Sequence, residues 1–246
     1  MPRLDPASLT TLTFDCYGTL IDWEAGTIEA LRPLLVSHGV ALSDNEIIAA
    51  AQEIEEPLCQ PPYQTYREVL GGVVEGFGRR FGFPVRENQR SLLASSIPSW
   101  HPFPDTVEVL KALASRFRLA IISNIDDDLF AETARKLEVR FEHIVTAQQT
   151  RCYKPHRPIF EEALRRLAVE PSQIAHVAEG ITEVPTARQL GCSTVWVRRN
   201  GRSAHLLIES PDLEVADLRT LQIQLGIPAS GTSSHVGAVL HAHKGN

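Results

Sequence analysis

Basic runs are missing from this sequence: its 24 lysines and arginines are interspersed with 30 acids, for a net charge of −6. No segment is suited to following a phosphate backbone, so neither nucleic acid nor an anionic membrane is an expected partner. Long apolar runs are missing too, and none approaches the roughly 18 residues of a membrane span. The opening MPRLDPASLT lacks the basic and apolar regions of a secretory signal, so a cytoplasmic protein is expected. Cysteine is sparse. Cys16, Cys59, Cys152 and Cys192 stand apart from one another, without the CxxC spacing of zinc sites or the density of a disulfide-stapled domain. They read as reduced packing thiols; a redox role is open for Cys16 and Cys152, which lie beside candidate site residues.

What is present is enough to fill a core: 43% of the residues are hydrophobic and 22% charged, as expected for one large domain or one domain with an insert. Short apolar runs rich in β-branched residues recur at Leu9–Phe14, Leu119–Ile122, His143–Thr146, Ile174–Ala178 and Ser193–Val197. Most alternate with segments of helical period, which predicts a doubly wound, Rossmann-like α/β fold with a parallel sheet. The alternation fails over 22–98, where helix candidates follow one another at Trp23–His38, Asp44–Glu55, Tyr63–Phe81 and Arg86–Ser96. The expected organisation is therefore a core of 1–21 and 99–227 with an inserted helical cap at 22–98 over its active face. Residues 228–246 read as a polar tail, in which His235, His241 and His243 are either incidental or metal ligands.

Ligands of such sheets bind at the carboxyl ends of the strands, so the residues after each run come first. In TLTFDCYGTLIDW, Asp15 stands where the strand stops, and Gly18 allows a tight turn. This acid either caps the next helix or presents a carboxylate to a ligand. In LAIISNIDDD, Ser123 and Asn124 offer a hydroxyl and an amide to an anionic group, or form an ordinary turn. In RCYKPHRPIF, Lys154 is either a surface lysine or the cation that keeps a neighbouring carboxylate ionised. Glu179 and Glu183 follow the run ending at Ala178. They can orient a lysine or a water, hold a cation, or simply begin a helix.

Taken in order, Asp15 in FDCYGTL, Ser123 and Asn124 in IISN, Lys154 in YKP and the acids after Ala178 resemble the four motifs of the haloacid dehalogenase superfamily, from about Leu9 to Gly226. The resemblance implies an aspartate nucleophile and a cap over a Rossmann-like core. Phosphatases of that superfamily carry a second aspartate two residues after the nucleophile, where this chain has Tyr17, and a phenol is a poor acid for a leaving alkoxide. The DxYGT form looks instead like the type II 2-haloacid dehalogenases, which need no metal or other cofactor. The resemblance then implies that Asp15 forms an ester with a small anionic substrate and that Ser123 and Asn124 grip its carboxylate. Thr19 and Lys154 would hold Asp15, and Glu183 would position a water.

The sequence also departs from the dehalogenase pattern. Ile47–Leu58 contains no Arg or Lys where that family carries its halide-binding arginine, Phe160 replaces a tyrosine, and the fourth motif is AEGITE. Cys16, Tyr17, Tyr66 and Arg67 are the further candidates for touching substrate, with Tyr63 beside them; aromatics at helical spacing also simply pack a core. The alternative is a magnesium-dependent phosphatase of small phosphomonoesters, its cation held by Asp15, the carbonyl of Tyr17, Glu179 and Glu183. A non-catalytic binding protein is the third reading, and the chain is expected as a monomer or homodimer.

Overall fold

The computed structural model describes residues 4–199 and 209–228. The five short apolar runs become strands: β1 (Thr11–Phe14), β2 (Arg118–Ser123), β3 (His143–Thr146), β4 (Ile174–Ala178) and β5 (Ser193–Val197). Every residue of β1 and β4 is buried, as a strand covered by helices on both faces requires. A sixth strand, β6 (Leu213–Val215), is too short and too polar to register as an apolar run. The six pair in parallel in the order β3-β2-β1-β4-β5-β6, so the chain reverses its winding direction between β1 and β4. Phe14 is in register with Val177 across that boundary, and the amide of Asp15 continues the ladder by donating to the carbonyl of Val177 at 3.0 Å.

Between β1 and β2 lie α1 (Trp23–Ser37), α2 (Asp44–Leu58), α3 (Tyr66–Phe81) and α4 (Leu92–Ser96), with no strand among them. Their starts follow local chemistry. Asp22 caps α1 through the amide of Ala25, while Ser43 with Glu46 and Thr65 with Glu68 form reciprocal capping boxes for α2 and α3. The Thr65 box explains why α3 begins at Tyr66 and not at Tyr63. The expected helix over Arg86–Ser96 is instead a short 3-10 turn at Glu87–Gln89 followed by α4, because the Gln89 side chain accepts from the amide of Arg86 and closes the turn. Gly26 lets α1 lie against Trp100, since a β-carbon there would fall 2.2 Å from the indole.

The remaining helices are α5 (Thr106–Ala114), α6 (Asp127–Leu137), α7 (Ala147–Thr150), α8 (Arg157–Leu167), α9 (Glu183–Gln189) and α10 (Leu218–Gln224). Two contacts tie the strandless insert to the loops after β2 and β3. The carboxylate of Asp126 accepts from the amides of Tyr66 and Arg67, both at 2.9 Å, supplying the orphan donors at the start of α3. The Tyr153 hydroxyl donates to the Gln64 carbonyl at 2.9 Å. Among the described residues no helix is long and apolar enough to cross a membrane. The tail histidines His235, His241 and His243 lie outside the described residues.

Candidate active site

The carboxyl ends of β1, β2 and β4, with the loop after β3, open into one cavity of about 390 Å³ beside the winding reversal. Asp15 stands there because the chain turns away sharply after β1. Gly18 takes φ +101°, and a β-carbon on it would crowd Glu179 at 3.2 Å and Trp23 at 3.3 Å.

Both carboxylate oxygens of Asp15 accept a hydrogen bond: Lys154 Nζ donates to Oδ1 at 2.6 Å and Thr19 Oγ1 to Oδ2 at 2.7 Å. Thr19 is itself fixed. Its hydroxyl oxygen accepts from the amide of Glu179 at 2.8 Å, and its carbonyl accepts two bonds from Arg199, which is held by a two-pronged pair with Asp105. This buried arginine braces the turn after β1 from below, because its planar fork spans both partners at once.

Lys154 lies 3.0 Å from Glu183 Oε1, so its ammonium is shared between two buried carboxylates. Glu183 Oε2 is 2.8 Å from His176 Nε2, and His176 Nδ1 is 2.9 Å from the hydroxyl of Thr13. A continuous polar chain therefore runs from Thr13 through His176, Glu183 and Lys154 to Asp15 and Thr19. Burial pushes the Asp15 carboxyl upward, the Glu183 charge adds to the rise, and the Lys154 ammonium and Thr19 hydroxyl oppose it. Burial works the same way on Glu183, but Lys154 and His176 outweigh it and hold that carboxyl below its usual range. Burial alone pushes the Lys154 ammonium downward; its two acids reverse this and raise it.

The other sequence candidates separate into those the fold gathers and those it does not. Ser123, Asn124, Tyr17, Tyr66 and Glu179 line the cavity. The Ser123 hydroxyl is buried with no hydrogen-bond partner among the described residues. Asn124 is committed otherwise: Oδ1 accepts from the amide of Lys154 at 2.7 Å and Nδ2 donates to its carbonyl at 3.2 Å, so it clasps the lysine's backbone. Tyr17 directs its hydroxyl to Thr133 at 2.8 Å, and burial pushes the phenol well above its ordinary value of 10. Cys16 turns to the opposite side of the chain and is fully buried in the core. Arg67 points away and pairs with Asp128, and Tyr63 packs on Tyr153 with ring centroids 5.4 Å apart. The four cysteines are all free thiols.

Sequence reasoning missed His176, Thr13 and the cavity's insert-side wall of Trp23, Gln52 and Glu55. A histidine inside an apolar strand was the one readable signal for His176.

A divalent cation fits this donor set poorly. An ammonium already bridges Asp15 and Glu183, Tyr17 replaces the second acid, and among the described residues no three His, Cys, Asp or Glu side chains are placed to hold one ion together.

The chain resembles known proteins along most of its length. It is 28% identical to the (S)-2-haloacid dehalogenase of Pseudomonas sp. strain YL, over 89% of this chain and 95% of that one. It is 35% identical to the mouse haloacid dehalogenase-like hydrolase domain-containing protein 3, over 68% and 73%. The crystal structure of an L-2-haloacid dehalogenase superposes with a TM-score of 0.75 at 26% identity, covering 89% of this chain and 99% of that one. With residues 9–191 matching the haloacid dehalogenase-like hydrolase pattern as well, the chain belongs to the haloacid dehalogenase-like hydrolase family.

Proposed function

We propose that the protein is a 2-haloacid dehalogenase-like hydrolase in which Asp15 is the covalent nucleophile, acting on a small carboxylic acid that carries a leaving group on its second carbon. The observation that carries this reading is Tyr17. With its hydroxyl bonded to Thr133 and its acidity weakened by burial, it has no proton to offer a departing alkoxide at neutral pH. A halide departs without one.

In the first step a carboxylate oxygen of Asp15 attacks the substituted carbon, and the halide leaves with the bonding electron pair, giving an ester on Asp15. The unpartnered Ser123 hydroxyl donates to the substrate's carboxylate. In the second step a water adds to the Asp15 carbonyl carbon and passes a proton to Glu183, whose carboxyl is kept ionised by Lys154 and His176. The ester bond to the carbonyl carbon then breaks as Glu183 returns that proton to the departing alkoxide oxygen, the 2-hydroxy acid leaves, and Asp15 keeps the water's oxygen and releases its remaining proton to solvent. Lys154 stays 2.6 Å from Asp15 and stabilises the charge that builds on the carbonyl oxygen. No step needs a metal ion or other cofactor. Residues 22–98 act as the cap that shuts bulk water from this chemistry, and 1–21 with 99–227 as the core. The free thiols support a reducing compartment, the cytoplasm.

Resemblance along nearly the whole length of an (S)-2-haloacid dehalogenase supports the reading. Assaying 2-chloropropionate and p-nitrophenyl phosphate side by side, with and without EDTA, tests it. Chelator-insensitive chloride release is expected, and magnesium-dependent phosphate release in its place would overturn it.

A further inference from the structure

The cavity is both larger and more acidic than a short haloacid needs. At about 390 Å³ it lies within the roughly 300–1,000 Å³ range of pockets for much larger ligands. A three-carbon haloacid has six heavy atoms and leaves most of that space empty. Among the described residues, Lys154 is the one Lys or Arg on the wall, and its ammonium is taken up by Asp15 and Glu183. The wall also carries the carboxyl group of Glu179 and, across from the sheet, that of Glu55.

Glu55 is placed by structure and not left over from a solvated face. Helix α2 carries three acids close together, Glu53, Glu55 and Glu56. Glu53 pairs with Arg80 and Glu56 is exposed, whereas Glu55 turns into the cavity beside Gln52. The Tyr66 hydroxyl donates to its Oε1 at 3.0 Å, which fixes the carboxyl in place without neutralising it. Burial pushes the group above its ordinary value of 4.5, the expected cost of an acid with no counter-charge among the described residues. Trp23, Trp196, Tyr17 and Tyr66 line the same space, and aromatic faces attract cations.

We propose that the substrate carries an ammonium group at the end remote from its carboxylate, and that Glu55 pairs with this cation beneath the insert. The preferred substrate is then a 2-substituted carboxylic acid with an amino group along or ending its chain, longer than the haloacetates and halopropionates that reach only the Asp15 end of the cavity. The placement of the carboxylate end rests on the proposed reaction at Asp15; the charge preference of the far end does not.

Ligands without a leaving group separate the two. Isothermal calorimetry on the intact protein compares 4-aminobutanoate, 5-aminopentanoate and 6-aminohexanoate, each with the alkyl acid in which a methyl replaces the ammonium. A partly buried ion pair of this kind is worth on the order of tenfold in affinity. At least one amino acid of the series is expected to bind about tenfold tighter than its alkyl partner, and Glu55→Gln is expected to bring that ratio close to one. Melting temperatures of both proteins show whether the variant is folded, and the wild-type comparison needs no variant. Alkyl acids binding as tightly as amino acids, a preference that survives in Glu55→Gln, or no binding of either series at millimolar concentration each overturns the proposal. Halide release without any amino preference would leave the reaction at Asp15 standing and remove only this inference; an amino preference in a protein that releases no halide would do the reverse.

Discussion

Replacing Lys154 with methionine removes the single positive charge from between two buried carboxylates while keeping most of the side-chain volume. Side-chain exposure is 3% for Lys154, 9% for Asp15 and 8% for Glu183, so solvent cannot take the ammonium's place. Breaking such a buried pair costs about 3–5 kcal/mol when the stranded charge stays ionised. One of the acids escapes part of that cost by taking up a proton, and Asp15 is the one, because its carboxyl is already raised while Glu183 still has His176. A carboxyl whose folded pKa lies above its unfolded value stabilises the fold below the unfolded value and loses that contribution as pH rises through the folded one. The deficit of the variant against the parent should therefore be about 3–5 kcal/mol at pH 8 and clearly smaller at pH 5.5. Urea denaturation at both pH values measures it. Single-turnover ester formation should fall at least on the order of a hundredfold at pH 7, since a protonated Asp15 is no nucleophile. Equal stability of variant and parent at pH 8, or a deficit that does not change with pH, would refute the reasoning.

Further outcomes follow from the same network. His176→Leu strands one oxygen of Glu183, costing about 1–3 kcal/mol of stability, and should slow ester hydrolysis more than ester formation; intact-protein mass spectrometry of quenched turnovers should then show the adduct accumulating. The acid limb of the kcat/KM profile should fall above 3.8, because the active form is ionised Asp15 and burial raises that carboxyl; a pH–rate profile checks this. Gly26→Ala places a β-carbon 2.2 Å from the indole of Trp100, and overpacking of about 1–3 kcal/mol should lower the urea midpoint with no change in slope.

Much of this site was legible because strand ends announce themselves. Asp15 and Ser123 each follow the place where an apolar run stops, Lys154 sits in the loop beyond β3 and α7 and is marked by its YKP motif, and the sheet order brings all three to one cavity. Which of two neighbours faces the ligand was less legible: Cys16 and Tyr17 are adjacent, and only the turn after β1 buries the first and points the second into the cavity. His176 escaped notice because its partner Thr13 lies 163 residues away, bridged only by the β1–β4 pairing. Glu55 is one of three acids in four residues of α2, and the rotation of that helix against the core selects it. Strand β6 has one buried residue of three, so an apolar scan has nothing to find.

The proposed reaction passes through a bond between Asp15 and the substrate. A single turnover in heavy-oxygen water, with enzyme in excess over a 2-halo acid, followed by mass spectrometry of the peptide containing Asp15, reads that bond directly. Heavy oxygen should enter the Asp15 side chain while the first hydroxy-acid product carries ordinary oxygen from the carboxylate. Label in the product and none in Asp15, with turnover verified, would mean that water attacks the substrate itself and would contradict the account.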